Sequence, residues 1–270
     1  MEHEFNTPEP VRLFVTIGSG TVRVEACPTD TTTVTVTGRD ADDTRVEQQG
    51  RQVSVTGPHR GPFGDRALHV VVRVPEDSEV GVKTGSAAVD LTGRLTSVMT
   101  RTGSGDIGVE LATGPMLAET GSGTIRLGEA AAELRIKSGS GDVSVGTAQR
   151  TTVVSTGSGD VELGTAHGAV TVKTGSGDLR VATAHADVQL STGSGDLEVG
   201  SMSKGRLTGK GASTDIRVGI PAGVPVWTDL TTVSGKIRST LQPAGQPHEG
   251  QDHVELRART VSGDITLVER

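Results

Sequence analysis

Seven segments, beginning at Thr84, Thr102, Thr120, Ser138, Thr156, Thr174 and Thr192, read TGSAAVDL, TGSGDIGV, TGSGTIRL, SGSGDVSV, TGSGDVEL, TGSGDLRV and TGSGDLEV, each starting 18 residues after the last. An eighth copy begins at Lys210 with one extra residue before Ile216 and Val218, and looser copies run over 18–24, 233–237 and 261–267. A weaker nine-residue echo inside the unit, in which Gly159, Val161 and Leu163 recur as Gly168, Val170 and Val172, gives two short strands per repeat.

Alternation assigns the faces of those strands. Val161 and Leu163 point one way while Asp160 and Glu162 point the other, as a pleated strand requires. Two inward columns follow, Val89, Ile107, Ile125, Val143, Val161, Leu179, Leu197 and Leu91, Val109, Leu127, Val145, Leu163, Val181, Val199, with a small column Ala112, Ala130, Ala148, Ala166, Ala184 beside one turn. A single inserted residue would turn every later side chain in a strand to the opposite face, so a spacing this strict is expected of stacked coils with insertions confined to turns. Antiparallel hairpins in a sandwich or barrel would also give strands about nine residues apart, but they have no need of the same turn at every second strand. The expectation is an all-β protein, a β-solenoid of 18-residue coils with two short strands each. Each inward Val or Leu then contributes about 1.5–3 kcal/mol by burial, and Leu163→Asp should hurt far more than a change at Glu162.

The flanks depart from the period. Strand-like runs at 13–17, 33–37, 52–56 and 68–74 are separated by the polar stretch 39–50 and a Pro58–Pro62 turn region; beyond Val218, Pro221, Pro225, Pro243 and Pro247 interrupt the pattern. Open ends of a solenoid present unpaired strand edges, so atypical terminal units are expected as caps. Residues 1–80 read as an irregular N-terminal set of coils, 81–218 as the regular solenoid and 219–270 as a C-terminal cap holding Trp227, in one continuous domain.

Composition suits a thin interior. The chain has 38 Gly, three Phe, one Trp and no Tyr, which excludes a core built on aromatic anchors. Its formal charge of −7 argues against general nucleic-acid binding, which needs clustered Lys and Arg. The single cysteine, Cys27, cannot form an internal disulfide and reads as a small hydrophobe. The first residues lack the basic and apolar regions of a signal peptide, and no run approaches the roughly 18 apolar residues of a membrane span, so a cytoplasmic location is expected.

The Gly-Ser-Gly-Asp turn admits several readings. Asp142, Asp160, Asp178 and Asp196 would form a ladder at the rung spacing, each neighbouring pair repelling by about 1 kcal/mol in water, and a calcium ion would relieve that cost. Calcium-binding β-rolls, however, place a spacer before the aspartate, G-G-x-G-x-D. The plainer reading has glycine supplying positive φ while Ser and Asp accept hydrogen bonds from turn amides. A phosphate cradle is weak, since no GxxxxGK[ST] is present and the turns lead into strands. A polysaccharide-binding or -cleaving β-helix would want a distinctive carboxylate pair and aromatic platforms, for which only Trp227 and three Phe are on offer. His167 and His185 share a repeat position and could stack, with no third metal ligand apparent. Glu162, Arg180 and Glu198 form an outward column of alternating charge suited to weak cross-rung ion pairs.

The TGSGD[VL]-x-[VL] repeats, with the terminal TVSGDI variant at 260–265, resemble the bacterial β-strand-repeat domains of unknown function described as adhesin-like, most closely over 84–218. The resemblance implies a β-solenoid and transfers no catalytic residue. With no nucleophile–base constellation, CxxC or HExxH, the expectation is a non-enzymatic structural or interaction protein without a cofactor. It would present a repetitive surface to a protein partner or to itself, with calcium binding and polysaccharide binding as alternatives.

Overall fold

The computed structural model describes residues 1–58, 67–242 and 252–270, so most of the Pro58–Pro62 region, and both Pro243 and Pro247, lie outside the described residues. The chain divides into two compact units, 1–137 and 138–270.

In the first unit the strands are β1 (Glu2–Asn6), β2 (Arg12–Ile17), β3 (Gly20–Cys27), β4 (Thr31–Thr37), β5 (Arg45–Gln49), β6 (Gln52–Thr56), β7 (Leu68–Pro75), β8 (Glu79–Thr84), β9 (Ala88–Leu95), β10 (Ser97–Thr102), β11 (Ile107–Ala112), β12 (Met116–Thr120) and β13 (Ile125–Ala130). They build two sheets, ordered β1-β4-β7-β3-β9-β11-β13 and β12-β10-β8-β2-β6-β5. From β8 onward each strand pairs in parallel with the one a full repeat later, Val98 opposite Met116 and Ile107 opposite Ile125. The regular reading breaks at the beginning, where β4 runs antiparallel between β1 and β7, and β5 antiparallel beside β6. Part of the polar stretch 39–50 is thus the edge strand β5, following a short 3-10 turn at Ala41–Asp43. An extra residue within β9 is absorbed as a bulge at Gly93, where φ is +80°.

A further strand, β14 (Leu134–Ser138), carries the chain into the second unit. There follow β15 (Val143–Ala148), β16 (Thr152–Thr156), β17 (Val161–Ala166), β18 (Val170–Lys173), β19 (Leu179–Ala184), β20 (Val188–Ser191), β21 (Leu197–Met202), β22 (Gly205–Lys210), β23 (Ile216–Ile220), β24 (Val226–Thr232), β25 (Ile237–Ser239), β26 (Val254–Thr260) and β27 (Ile265–Glu269). One sheet is ordered β15-β17-β19-β21-β23-β27-β25 and the other β16-β18-β20-β22-β26-β24, with parallel pairing between neighbours. Rungs cross from one sheet to the other and back, the arrangement of a β-solenoid. The extra residue of the eighth copy falls in the turn between β21 and β22, since Ala184 faces Met202 but Val188 faces Leu207, and Leu197 still faces Ile216.

Both inward columns are buried from end to end, as is the alanine column. Valine and leucine fill this interior because two facing sheets of short coils leave room for one layer of branched side chains. The chain ends depart from sequential stacking. β26 and β27 lie between β22/β23 and β24/β25, and in the first unit β2 and β3 lie between β8/β9 and β6/β7. The outermost rung of the second unit is therefore β24/β25, laid down before the rung it covers.

Candidate functional site

The repeated turn is the feature the sequence singles out, and its geometry corrects the expected roles of its residues. The second glycine of each TGSGD copy does not occupy the positive-φ region. It is required by close approach: a Cβ at Gly177 would lie 2.0 Å from the Gly159 carbonyl oxygen of the rung below, and one at Gly159 would lie 2.2 Å from that of Gly141. The serine of the motif is exposed; the threonine two residues before it folds the turn. Thr156 Oγ1 accepts the Gly159 N–H at 3.0 Å, and Thr174 and Thr192 repeat the bond with Gly177 and Gly195.

The aspartates do form a ladder, and each bonds to the next rung instead of its own turn. Asp142 Oδ1 accepts the backbone N–H of Asp160 at 3.0 Å, Asp160 that of Asp178 at 2.9 Å, and Asp178 that of Asp196 at 2.9 Å. The series continues through Asp215, which the glycine motif did not reveal, to Asp264 of the TVSGDI variant. Asp196 accepts the Asp215 N–H, Asp215 that of Asp264 at 2.7 Å, and Asp264 that of Lys236 at 2.8 Å. The signal that would have found Asp215 is an acidic residue directly before the inward aliphatic, as in Asp215-Ile216, with no reference to glycine.

One amide dipole per rung offsets the like-charge repulsion between neighbouring aspartates. Calcium takes six to eight oxygens around one point. Along the ladder Oδ1 is committed to the next amide and Oδ2 of Asp178 and Asp264 also meets an arginine, and among the described residues no three His, Cys, Asp or Glu side chains gather as a metal site. Arginines occupy the neighbouring outward column: Arg180 contacts Asp178 at 3.3 Å and Glu198 at 4.0 Å, Arg217 reaches Glu198 at 4.0 Å, and Arg238 bonds Asp264 at 2.9 Å. The Lys236 amide first, with Arg238 beside it, holds the Asp264 carboxyl below the ordinary aspartate range. His167 and His185 stack with ring centroids 5.1 Å apart.

The opposite sheet of the same unit carries a different surface. Its outward side chains include Arg206, Lys210, Arg257 and Arg259, gathered because Arg206 lies opposite Glu255, Thr208 opposite Arg257, and Lys210 opposite Arg259 across the β22/β26 pairing. Glu255 accepts from Arg206 Nε and Arg257 Nε, and these hydrogen bonds, Arg206 foremost, hold its carboxyl below the ordinary glutamate range. On β24, Trp227 projects outward, and the Arg257 guanidinium sits 5.5 Å from its ring centroid.

At the outermost rung, Val226, Thr228 and Leu230 of β24 pair with Val254, Leu256 and Ala258, and Ile237 of β25 pairs with Ile265. Among the described residues these inward-facing positions have a rung on one side only. They border a hollow of about 460 Å³ with Ile220, Leu241 and Leu267.

A parallel β-solenoid whose turns are ladders of aspartate and threonine is the class defined by this geometry. The chain belongs to the Toastrack DUF4097 family, whose model matches residues 11–268. No curated protein matches the sequence. Solved structures similar over nearly the whole chain include a candidate adhesin from Bacteroides fragilis, 11% identical, covering 99% of this chain and 96% of that one with a TM-score of 0.46. A candidate lipid-binding protein from Parabacteroides distasonis is 16% identical, with coverage of 99% and 96% and a TM-score of 0.42. A candidate adhesin from Parabacteroides merdae is 14% identical, with coverage of 99% and 95% and a TM-score of 0.30. Among the described residues no helix is long and apolar enough to cross a membrane.

Proposed function

We propose that the chain is a non-enzymatic interaction protein that engages a protein partner, or a second copy of itself, through the outermost rung of its second unit. The observation that carries this reading is Ile237, 48% exposed in a column where Val161, Leu179 and Ile265 are buried to 1% or less. Among the described residues β24 and β25 each pair on one flank, leaving N–H and C=O groups along the other. Such an edge accepts an added strand, with main-chain bonds supplying affinity and the apolar hollow receiving alternate side chains. The ladder supports a structural role for the carboxylates, since each is committed to an amide of its neighbour and is repeated rung after rung.

Light scattering on the size-exclusion eluate, over a range of protein concentrations, tests the proposal, with a pull-down to follow. Association or partner capture that Ile237→Asp abolishes supports it. A strict monomer that retains no partner, or association indifferent to Ile237→Asp, overturns it.

A further inference from the structure

We infer that the outer face of the β22/β26 sheet in the second unit binds a linear anionic polysaccharide. A groove of about 360 Å³ on this face is lined by Arg206, Lys210, Arg257 and Arg259 together with Gln189 and Thr208, and by no carboxylate. This cationic patch stands on a chain whose formal charge is −7. Glu255 lies beneath it, its side chain 19% exposed, and grips Arg206 and Arg257 through their Nε atoms. Glu255 also holds Arg257 Nη2, so the two guanidinium groups, each about half exposed, are fixed in place, an arrangement that suits a carboxylate or sulfate. Lys210 has no carboxylate within ion-pair distance among the described residues, and its neighbour Arg259 has one exposed partner, Asp229, at 3.6 Å.

The shape of the ligand follows from the lattice. Lys173, Ser191, Lys210 and Arg259 fall in one outward column across four successive parallel rungs. Rungs repeat at about 4.8 Å, close to the length of one pyranose unit, so a sugar chain lying across the rungs presents its anionic groups in step with the cations. A free phosphate or a single acid would use one rung of this column and leave the others unmatched. At the margin Trp227, 52% exposed, offers a ring face to the apolar side of a sugar. Single-stranded nucleic acid is the less suited polyanion, because successive bases want successive aromatic platforms, and this face has one.

The inference is independent of the proposed end-on association, which uses inward-facing residues. Trp227 is the sole tryptophan of the chain, so its fluorescence reports directly on the patch. The full chain is titrated at low salt with alginate, with dextran sulfate as the sulfated arm and uncharged dextran and an oligothymidylate as comparisons, and each titration is repeated by calorimetry. The expected result is saturable binding of alginate or dextran sulfate that weakens as salt rises and that Lys210→Glu/Arg259→Glu weakens about tenfold or more. The two anionic arms tell which acid group is preferred. Lys210→Gln/Arg259→Gln replaces the reversal should that variant misfold, and Trp227→Ala, followed by calorimetry, should weaken the glycan several-fold. Absence of binding to both anionic glycans, equal binding of uncharged dextran, tighter binding of the oligonucleotide, or indifference to the charge variants overturns the inference.

Discussion

Leu179 and Ile237 stand in the same inward column of the second unit, one fully buried between two rungs and the other half exposed on the last. Their chemistry is nearly the same, and the difference comes from what lies above. In a stacked coil the stabilisation of a residue belongs to the interfaces on its two flanks, so the last rung keeps about half of it and offers the remainder for contact.

Substitution at the two sites breaks this comparison most sharply. Leu179→Asp removes a buried leucine and places a carboxylate between sheets, and should cost more than about 4 kcal/mol, seen as loss of the cooperative melt. Ile237→Asp should cost under about 1 kcal/mol, because the new carboxylate stays in water. Equal losses would show that the end is covered in solution.

A smaller contrast tests the close approach of the turns. Gly177→Ala drives a methyl group into the Gly159 carbonyl, and with rungs on both flanks about 2 kcal/mol or more is expected in a denaturant melt. Gly235→Ala meets the Gly263 carbonyl at a similar 1.8 Å, but its rung has no further strand above it among the described residues and can lift, so a loss below about 1 kcal/mol is expected.

The smallest effects concern the ladder. Asp160→Ala removes the acceptor for the Asp178 amide and should cost about 1 kcal/mol, whereas Asp160→Asn keeps an oxygen there, relieves repulsion and should be close to neutral. On the rung beneath the outermost one, Asp264 is held below the ordinary aspartate value of about 3.9, so its contribution is present above that value and is lost as pH falls through the lower, folded-state value. Hydrogen exchange at the Lys236 amide, read across that range, should lose protection on acidification.

The inward columns were legible because a fixed period names every equivalent position without any knowledge of neighbours. The same period could not show which copies touch. The 261–267 copy is visible in the sequence, but its insertion between β23 and β25 depends on the chain returning inside a rung already laid. That return brings Arg257 and Arg259 beside Arg206 and Lys210, so the cationic patch escaped a reading that looked for Lys and Arg clustered along the chain. The turn was misread for a related reason. Glycine and aspartate there answer to the rung above or below, and single-turn logic sees neither. In the first unit, β4 was legible as a strand at 33–37, but its antiparallel direction and the whole of β5 escaped because an antiparallel return carries no copy of the repeat.

The tucked position of the terminal rungs has a mechanical consequence. A load entering at Arg270, whose amide donates to Ile220 and whose carbonyl accepts from Ala222, reaches strands held along both flanks. Such strands must slide against two neighbours at once to come free, where an edge strand would unzip one bond at a time. Tension on that terminus should therefore be borne collectively, with the exposed outer rung spared as the first point of failure.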